Sequence, residues 1–537
     1  MSSVSPQELE ALKKCIIKVA KGREAVAACL YGSKVAGYSR PDSDIDLLVV
    51  LENYPYVIKY VYLSESGMEV SALAVDRNAL ERDAENAFLG EFVVGRLLHV
   101  YEPIANAEFL SQIECIYKRR VILEEMQNTV GSTGVLSTEI VFPLEFVVFS
   151  KLKRRMSLYP GAAYSYYKTY TTNKHNLEFA LRGYQKSLED IIAQDDQLFV
   201  ARQDDLLQIS GKRIFVKGDK TRLKLSKKLQ EFSSYFVHTY AGRKIMYLMV
   251  SEAESKIRRR DKSMVLPNFM KSPSATYWKL PEGKLIVEGR DWLSDLGYSV
   301  ASKKRLGNVN SRTMLYVLDD NRKVAVKELA KTKAIKWAAL SLWTAPVKKF
   351  KVDPLQRLGS EYKAIRHIRS LGLHTPGIEA IVLDRKILVT QFIEGKSLAD
   401  AIKDLIKGVD DTKLLIEAGA QIARIHCTGS TFGNIKPKNL IVNSGDLYFT
   451  DVEQFVFQAG DPAWDLAQFI SWGLKGTRNS VSAGLVTKEF LKGYTEVAGF
   501  GEVTRLAKSR RYIESFYPVL APSVASAIKK EIKEIAK

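Results

Sequence analysis

Two sets of residues in this 537-residue chain have types and spacings suited to phosphate and metal chemistry. The first is Gly32-Ser33, followed by Asp44-Ile45-Asp46. Aspartates two apart on a strand point to the same face. Asp44 and Asp46 therefore form an oxygen pair for magnesium, or for manganese, ions that take few protein carboxylates plus phosphate oxygens. Such a metal would bridge a nucleoside triphosphate and activate an attacking hydroxyl. Gly32 lets the backbone approach a phosphate closely. Ser33 adds a hydroxyl donor, and a helix starting there would add free amides.

The second set is spread along the C-terminal half. Val324-Ala325-Val326-Lys327 reads as a strand whose lysine would hold phosphates. Glu361, in a helical stretch, would pair with that lysine. The run Ile387 to Gly395, with Ile393 near its end, reads as a strand and hinge for an adenine such as that of ATP. Gly433-Asn434-Ile435-Lys436-Pro437-Lys438-Asn439 reads as a loop before a strand, and Asp451 follows the next strand. Phosphoryl transfer needs such a cation, metal ligands and an oriented nucleophile.

The elements that must position these residues form a multidomain α+β chain. A single core rarely grows past roughly 250–300 residues, so several domains are expected. Residues 1–105 read as a helix followed by α/β structure, with strands at 26–31, 45–51 and 68–75. Residues 106–260 read as mainly helical, with a small hairpin around Gly211. Residues 261–285, holding Pro267, Pro273 and Pro281, read as a linker. Residues 286–537 begin with β-like runs, pass to helix, and end in helices after the strand-loop-strand at 433–451.

The net charge of +19 suggests a polyanionic partner such as RNA. A lysine-rich solvated surface explains it equally well. Lys151, Lys153, Arg154 and Arg155 precede Tyr159, Tyr164, Tyr166, Tyr167 and Tyr170. Cations mixed with flat rings are the recipe for single-stranded nucleic acid; the alternative is a packed helical domain with a basic face. Arg258-Arg259-Arg260 carries the same two readings. Four cysteines and six histidines show no metal-ligand spacing. No apolar run reaches the roughly 18 residues that span a bilayer, and the N-terminus has no signal core. A cytoplasmic protein without a membrane partner is expected.

The first set, with Tyr31 before it and Ser43 and Leu47 flanking the acids, resembles the DNA polymerase beta nucleotidyltransferase superfamily. The resemblance covers about the first 105 residues and implies a third carboxylate on a neighbouring strand. Glu69 is the candidate; with Ser71 in that position the metal site would lack its third anion. The second set resembles the protein-kinase superfamily, closest to archaeal kinases of the RIO and KEOPS-associated type. It implies ATP and magnesium as ligands. Lys327 would contact phosphates, Glu361 would orient Lys327, Asn439 and Asp451 would hold magnesium, and Lys436 would lie near the transferred phosphate. Asp465, in Gly460-Asp461-Pro462-Ala463-Trp464-Asp465, would brace the loop. The glycine-rich loop is poor, leaving backbone amides, Ser311 and Arg312 to cover phosphates. Asn434 stands where this family has an aspartate, and a carboxamide takes no proton at neutral pH. Glu453 is a candidate substitute. The expected activity is phosphotransfer to RNA, tRNA above all. The alternatives are a protein acceptor, a small-molecule acceptor, and a nucleotide-binding scaffold with a protein or RNA partner.

Overall fold

The computed structural model describes residues 4–41, 43–195, 198–201, 205–210, 265–306, 313–329, 350–408, 412–458 and 460–537. Ser311, Arg312, Arg258-Arg259-Arg260 and Gly211 lie outside the described residues. The chain divides into two compact units. One comprises residues 1–132 and 140–279, the other residues 133–139 and 280–537. Among the described residues no helix is long and apolar enough to cross a membrane.

The first unit opens on helix α1, Pro6–Ala20, started by a capping box in which Ser5 and Glu8 satisfy each other's free amides. Five strands follow: β1 Ala25–Tyr31, β2 Ile45–Leu51, β3 Ile58–Glu65, β4 Met68–Asp76 and β5 Glu102–Ala105. Their order is β3-β4-β2-β1-β5, with β2 and β4 parallel and the other pairs antiparallel. Leu12, Cys15 and Val19 of α1 pack on Leu30, Leu47, Val49, Ala72 and Ala74, which point to one face of the sheet. Asp46 has the opposite parity on β2, so its side chain leaves the other face.

Helices Ala107–Thr133, Leu144–Leu158, Ala162–Thr172 and His175–Gln194 follow in the chain. A small hairpin of β7 Phe199–Ala201 and β8 Leu207–Ile209 pairs with β6 Val141–Phe142. Here the structure narrows the nucleic-acid reading of the basic, tyrosine-rich stretch. Lys151, Arg155, Tyr166 and Tyr170 are buried. Lys151 Nζ lies 2.6 Å from Glu91, and Arg155 Nη1 lies 3.0 Å from the same carboxylate. Arg120 adds a third cation at 3.1 Å, and the Tyr117 hydroxyl donates to Glu91 at 3.2 Å. Burial would push the Glu91 carboxyl up, but the three cations outweigh it and hold it well below the ordinary range. Gly95 makes room for this cluster, since a Cβ there would stand 2.4 Å from an Arg155 nitrogen. Lys153 alone of the four basic residues is exposed, and Arg154 pairs with Glu125. Charges buried without such partners would be prohibitively costly, so Lys151 and Arg155 belong to the core.

His99 sits against this cluster, its Nδ1 3.0 Å from the Tyr170 hydroxyl. Burial, reinforced by the charges of Arg155, Lys118 and Arg96, pushes its pKa from 6.5 down to about 3. A depressed histidine stabilises the fold above its unfolded pKa and loses that contribution as pH falls. The melting temperature of this unit should therefore drop as pH falls from about 6.5 towards 3. His99→Phe should flatten that drop in melts recorded across the same range.

The second unit has a six-stranded sheet. The strands are β9 Leu285–Val287, β10 Val300–Leu306, β11 Thr313–Leu318, β12 Lys323–Glu328, β13 Ile378–Val382 and β14 Ile387–Gln391. In this sheet β11 and β12 lie between β10 and β14, and β13 between β14 and β9. All pair antiparallel except β9 with β13. The helix Pro354–Ser370, capped by Asp353, lies between β12 and β13 in sequence. After β14 comes a three-stranded sheet of Lys396–Ser397, Leu440–Asn443 and Asp446–Phe449, set among helices that run to the C-terminus.

Candidate functional sites

In the first unit, Gly32 takes φ +79°, open to glycine without cost. The position also admits no side chain: a Cβ would stand 2.0 Å from Asp46 Oδ2. Gly32 thus leaves room for the metal-type carboxylate as well as for any phosphate. Ser33 begins a helix of only four residues, Ser33–Ala36. Tyr31 is the register partner of Asp46 on β1, and Ser71 is its partner on β4. Paired residues share a face, so Ser71 flanks Asp46 directly. Asp44, one residue before β2, is exposed, as is Glu69. Glu69 pairs with Ser64 near the start of β4, one step before the Ile45–Val70 pair, so by register it stands beside Asp44. Among the described residues no three histidine, cysteine or carboxylate side chains are grouped to hold a metal. The donor set here is the Asp44 and Asp46 pair, with Ser71 beside Asp46 and Glu69 beside Asp44.

In the second unit the chain brings four of the candidate residues together. Lys327, inward on β12, places Nζ 2.8 Å from Glu361 and in contact with Asp451. Asn439 Nδ2 lies 3.4 Å from Asp451 Oδ2. Asp451 adopts φ +57°, a left-handed backbone uncommon outside glycine and typical of functional sites. That turn leaves its carboxylate 40% exposed while Glu361 is buried. Burial opposes the Lys327 charge, but Asp451, Glu361 and Glu453 outweigh it and hold its pKa well above the ordinary value. Burial also pushes Glu361 up to about 7, against the pull of Lys327.

Asn434 lines a pocket with Phe432, Ile435, Asn439, Leu440, Phe449, Thr450, Asp451 and Val452. Its Oδ1 accepts from Gln468 Nε2 at 3.4 Å. The loop that carries it is tied down by Asp465. That buried carboxylate accepts from the amides of Phe432 at 2.6 Å and Gly433 at 2.8 Å, with His426 Nε2 at 3.2 Å. Thr450 seals the other side, its amide and hydroxyl both donating to the Asn439 carbonyl. Lys436 Nζ lies over the Trp472 ring, 4.4 Å from its centre, with Lys475 at 5.0 Å. Ile393 lies just past β14, half-buried, before Gly395. A Cβ at Gly395 would strike the Val442 carbonyl at 2.1 Å.

One contact escaped sequence reasoning. Arg357, fully buried, lies 3.3 Å from Glu453. Glu453 is itself buried and 3.4 Å from Lys327. It therefore faces the helix and Lys327 and is spoken for as an anchor. The available signal was helical spacing, since Arg357 and Glu361 are four apart and share a face.

Comparison with known proteins agrees with these two frames. Residues 13–100 match the family Polymerase beta, Nucleotidyltransferase. KEOPS complex subunit Bud32 of Pyrococcus abyssi is 25% identical over 162 residues, which is 30% of this chain and 72% of that protein. A probable bifunctional tRNA threonylcarbamoyladenosine biosynthesis protein of Methanothermobacter thermautotrophicus is 27% identical over 143 residues, 26% of this chain and 25% of that protein. Its counterpart in Methanobrevibacter smithii is 29% identical over 146 residues, 26% of this chain and 24% of that protein. The chain thus spans about a quarter of the length of those two relatives. Among solved structures, WbdD, a bifunctional kinase-methyltransferase, in complex with a kinase inhibitor, is 14% identical over 44% of this chain and 45% of that one, with a TM-score of 0.26. The chain is a transferase with a nucleotidyltransferase domain at its N-terminus and kinase-type homologues over its C-terminal part.

Proposed function

We propose that the second unit is an ATP- and magnesium-dependent phosphotransferase acting on RNA, with tRNA as its substrate class. The observation that carries this is the joining of Lys327, Glu361, Asp451 and Asn439 at the edge of the pocket that holds Asn434. The RNA acceptor is supported by the +19 charge and by relatives named for tRNA modification.

The residues fit a magnesium ion. Asp451 offers an exposed carboxylate and Asn439 a carboxamide beside it, a small donor set that leaves positions for phosphate oxygens. Bound there, the ion would neutralise charge on the triphosphate. Lys327, freed from Asp451 by that neutralisation, would hold phosphate oxygens while Glu361 keeps its ammonium in place. Asn434 would orient the acceptor hydroxyl through a hydrogen bond without accepting its proton. In the first unit Ser71 is the register partner of Asp46 and Glu69 stands one step away beside Asp44; we assign that domain to binding the same substrate or nucleotide. A protein acceptor is the second reading, favoured by the relative named as a complex subunit.

The test is incubation with total tRNA and ATP labelled at the α or γ phosphate. Transfer of γ label into nuclease-sensitive material supports the proposal. Protease-sensitive γ label selects the protein acceptor, and α label assigns nucleotidyl transfer to the first unit. No transfer with nucleotide binding intact removes the enzyme reading. The Asn434→Asp variant gives a sharper check. Its one oxygen keeps the Gln468 bond and the other is free to take a proton. A general base is worth about 10²–10⁴-fold, less where positioning dominates, so kcat for label transfer should rise about tenfold.

A further inference from the structure

The helix Pro354–Ser370 carries Glu361 and is gripped on two faces. Arg357 and Glu361, four apart, face Glu453 and Lys327. Ser360 donates to the Phe455 carbonyl at 3.0 Å, so the segment after Asp451 holds this side. Gly359, Lys363 and Arg366 follow the i, i+4, i+7 spacing of a different face. That face meets residues 133–139, which belong to this unit although the chain around them builds the other. Glu139 pairs with Arg366 and lies 3.5 Å from Lys363 Nζ. Lys363 Nζ also donates to Thr138 Oγ1 at 2.7 Å. Gly359 allows the close approach: a Cβ there would stand 3.2 Å from the Leu136 amide nitrogen and from Val135 Cγ2. At the helix start, Leu355 Cδ2 comes within 3.5 Å of a Cβ built on Gly134.

A helix that must place one carboxylate on one lysine has its orientation set by whatever holds its opposite face. We infer that residues 133–139 are a positioning element for the Lys327–Glu361 pair, with Glu139 as the positioning residue that anchors it. The segment thereby controls phosphotransfer in the second unit; this inference rests on the phosphotransfer reading proposed above. In sequence it follows directly on the helix Ala107–Thr133.

The test uses the full chain with Glu139→Ala, Glu139→Asp and Glu361→Gln, alone and combined. A misplacement of catalytic groups by about 1 Å costs on the order of 100-fold, and partial release should cost kcat about tenfold. Glu139→Ala should show that loss with the acceptor KM unchanged, and Glu139→Asp should recover most of it. In a Glu361→Gln background the Glu139→Ala loss should vanish, because two residues on one path are not additive. A purely structural role would instead lower the melting temperature and act equally in both backgrounds, and would overturn the inference. Backbone amide exchange across 354–370 gives a second readout that needs no activity. Faster exchange in Glu139→Ala supports the positioning role, and unchanged exchange overturns it. Absence of both transfer and nucleotide binding in the unaltered protein would remove the phosphotransfer reading, with the exchange result still deciding whether the segment holds the helix.

Discussion

Asp451→Asn should lower γ-label transfer by about 10²–10³-fold, the scale on which single electrostatic groups at a transferring centre act, while leaving the fold as stable as before. The two halves of this expectation have separate causes. The carboxylate is the exposed anion of the site, so its loss weakens the hold on magnesium and on Lys327 together. Stability is spared because the left-handed backbone at Asp451, φ +57°, suits asparagine as well as aspartate. Lys327 also keeps Glu361 and Glu453 as counter-charges. Transfer and melting temperature measured on one preparation check both halves. Wild-type transfer in the variant would take Asp451 out of the chemistry. A matching fall in melting temperature would show a structural role instead.

Glu91→Ala is the substitution with the largest expected effect on stability. It removes the one acid shared by Lys151, Arg120 and Arg155 and leaves these cations facing each other with little water. Breaking a buried ion pair from one side costs about 3–5 kcal/mol. Here three cations lose one partner, although Glu124 still reaches Lys151 and Arg120 at 3.1 Å. A drop on the order of 10 °C in the first unit's melting temperature follows. Urea unfolding read by tyrosine fluorescence would give the same answer through the midpoint. A loss no larger than that of an exposed control such as Glu10→Ala would show that the cations are already solvated.

Much of this architecture is legible in local pattern. β2 reads residue for residue because an acid pair at its start and five consecutive buried apolar residues after it leave no other reading. Lys327, Glu361, Asn439 and Asp451 stand out because each element that carries one has its own strand, helix or turn signature. The basic, tyrosine-rich stretch shows where pattern stops. Lys151 and Arg155 look like a nucleic-acid face, since nothing near them in sequence neutralises them. Their partner, Glu91, is some 60 residues away. Periodicity reports which residues share a face, not which distant charge meets that face. The same limit hides Arg357 with Glu453, and Glu139 with Arg366, where the pairing is made only by the tertiary fold. At Ser71 the sequence leaves the third ligand open between two residues. Strand register sets Ser71 beside Asp46 and Glu69 one step earlier, beside Asp44, a placement that composition alone does not give.

The assignment of residues 133–139 to the second unit also bears on how the chain is made. A ribosome delivers the N-terminal unit first, and domains generally fold in that order. The seven residues that brace the Glu361 helix emerge long before that helix exists, and must wait while the rest of the N-terminal unit is synthesised around them. A gene cut between the two units would separate the helix from its brace. Residues 280–537 expressed alone would therefore lack the seven residues that brace the Glu361 helix.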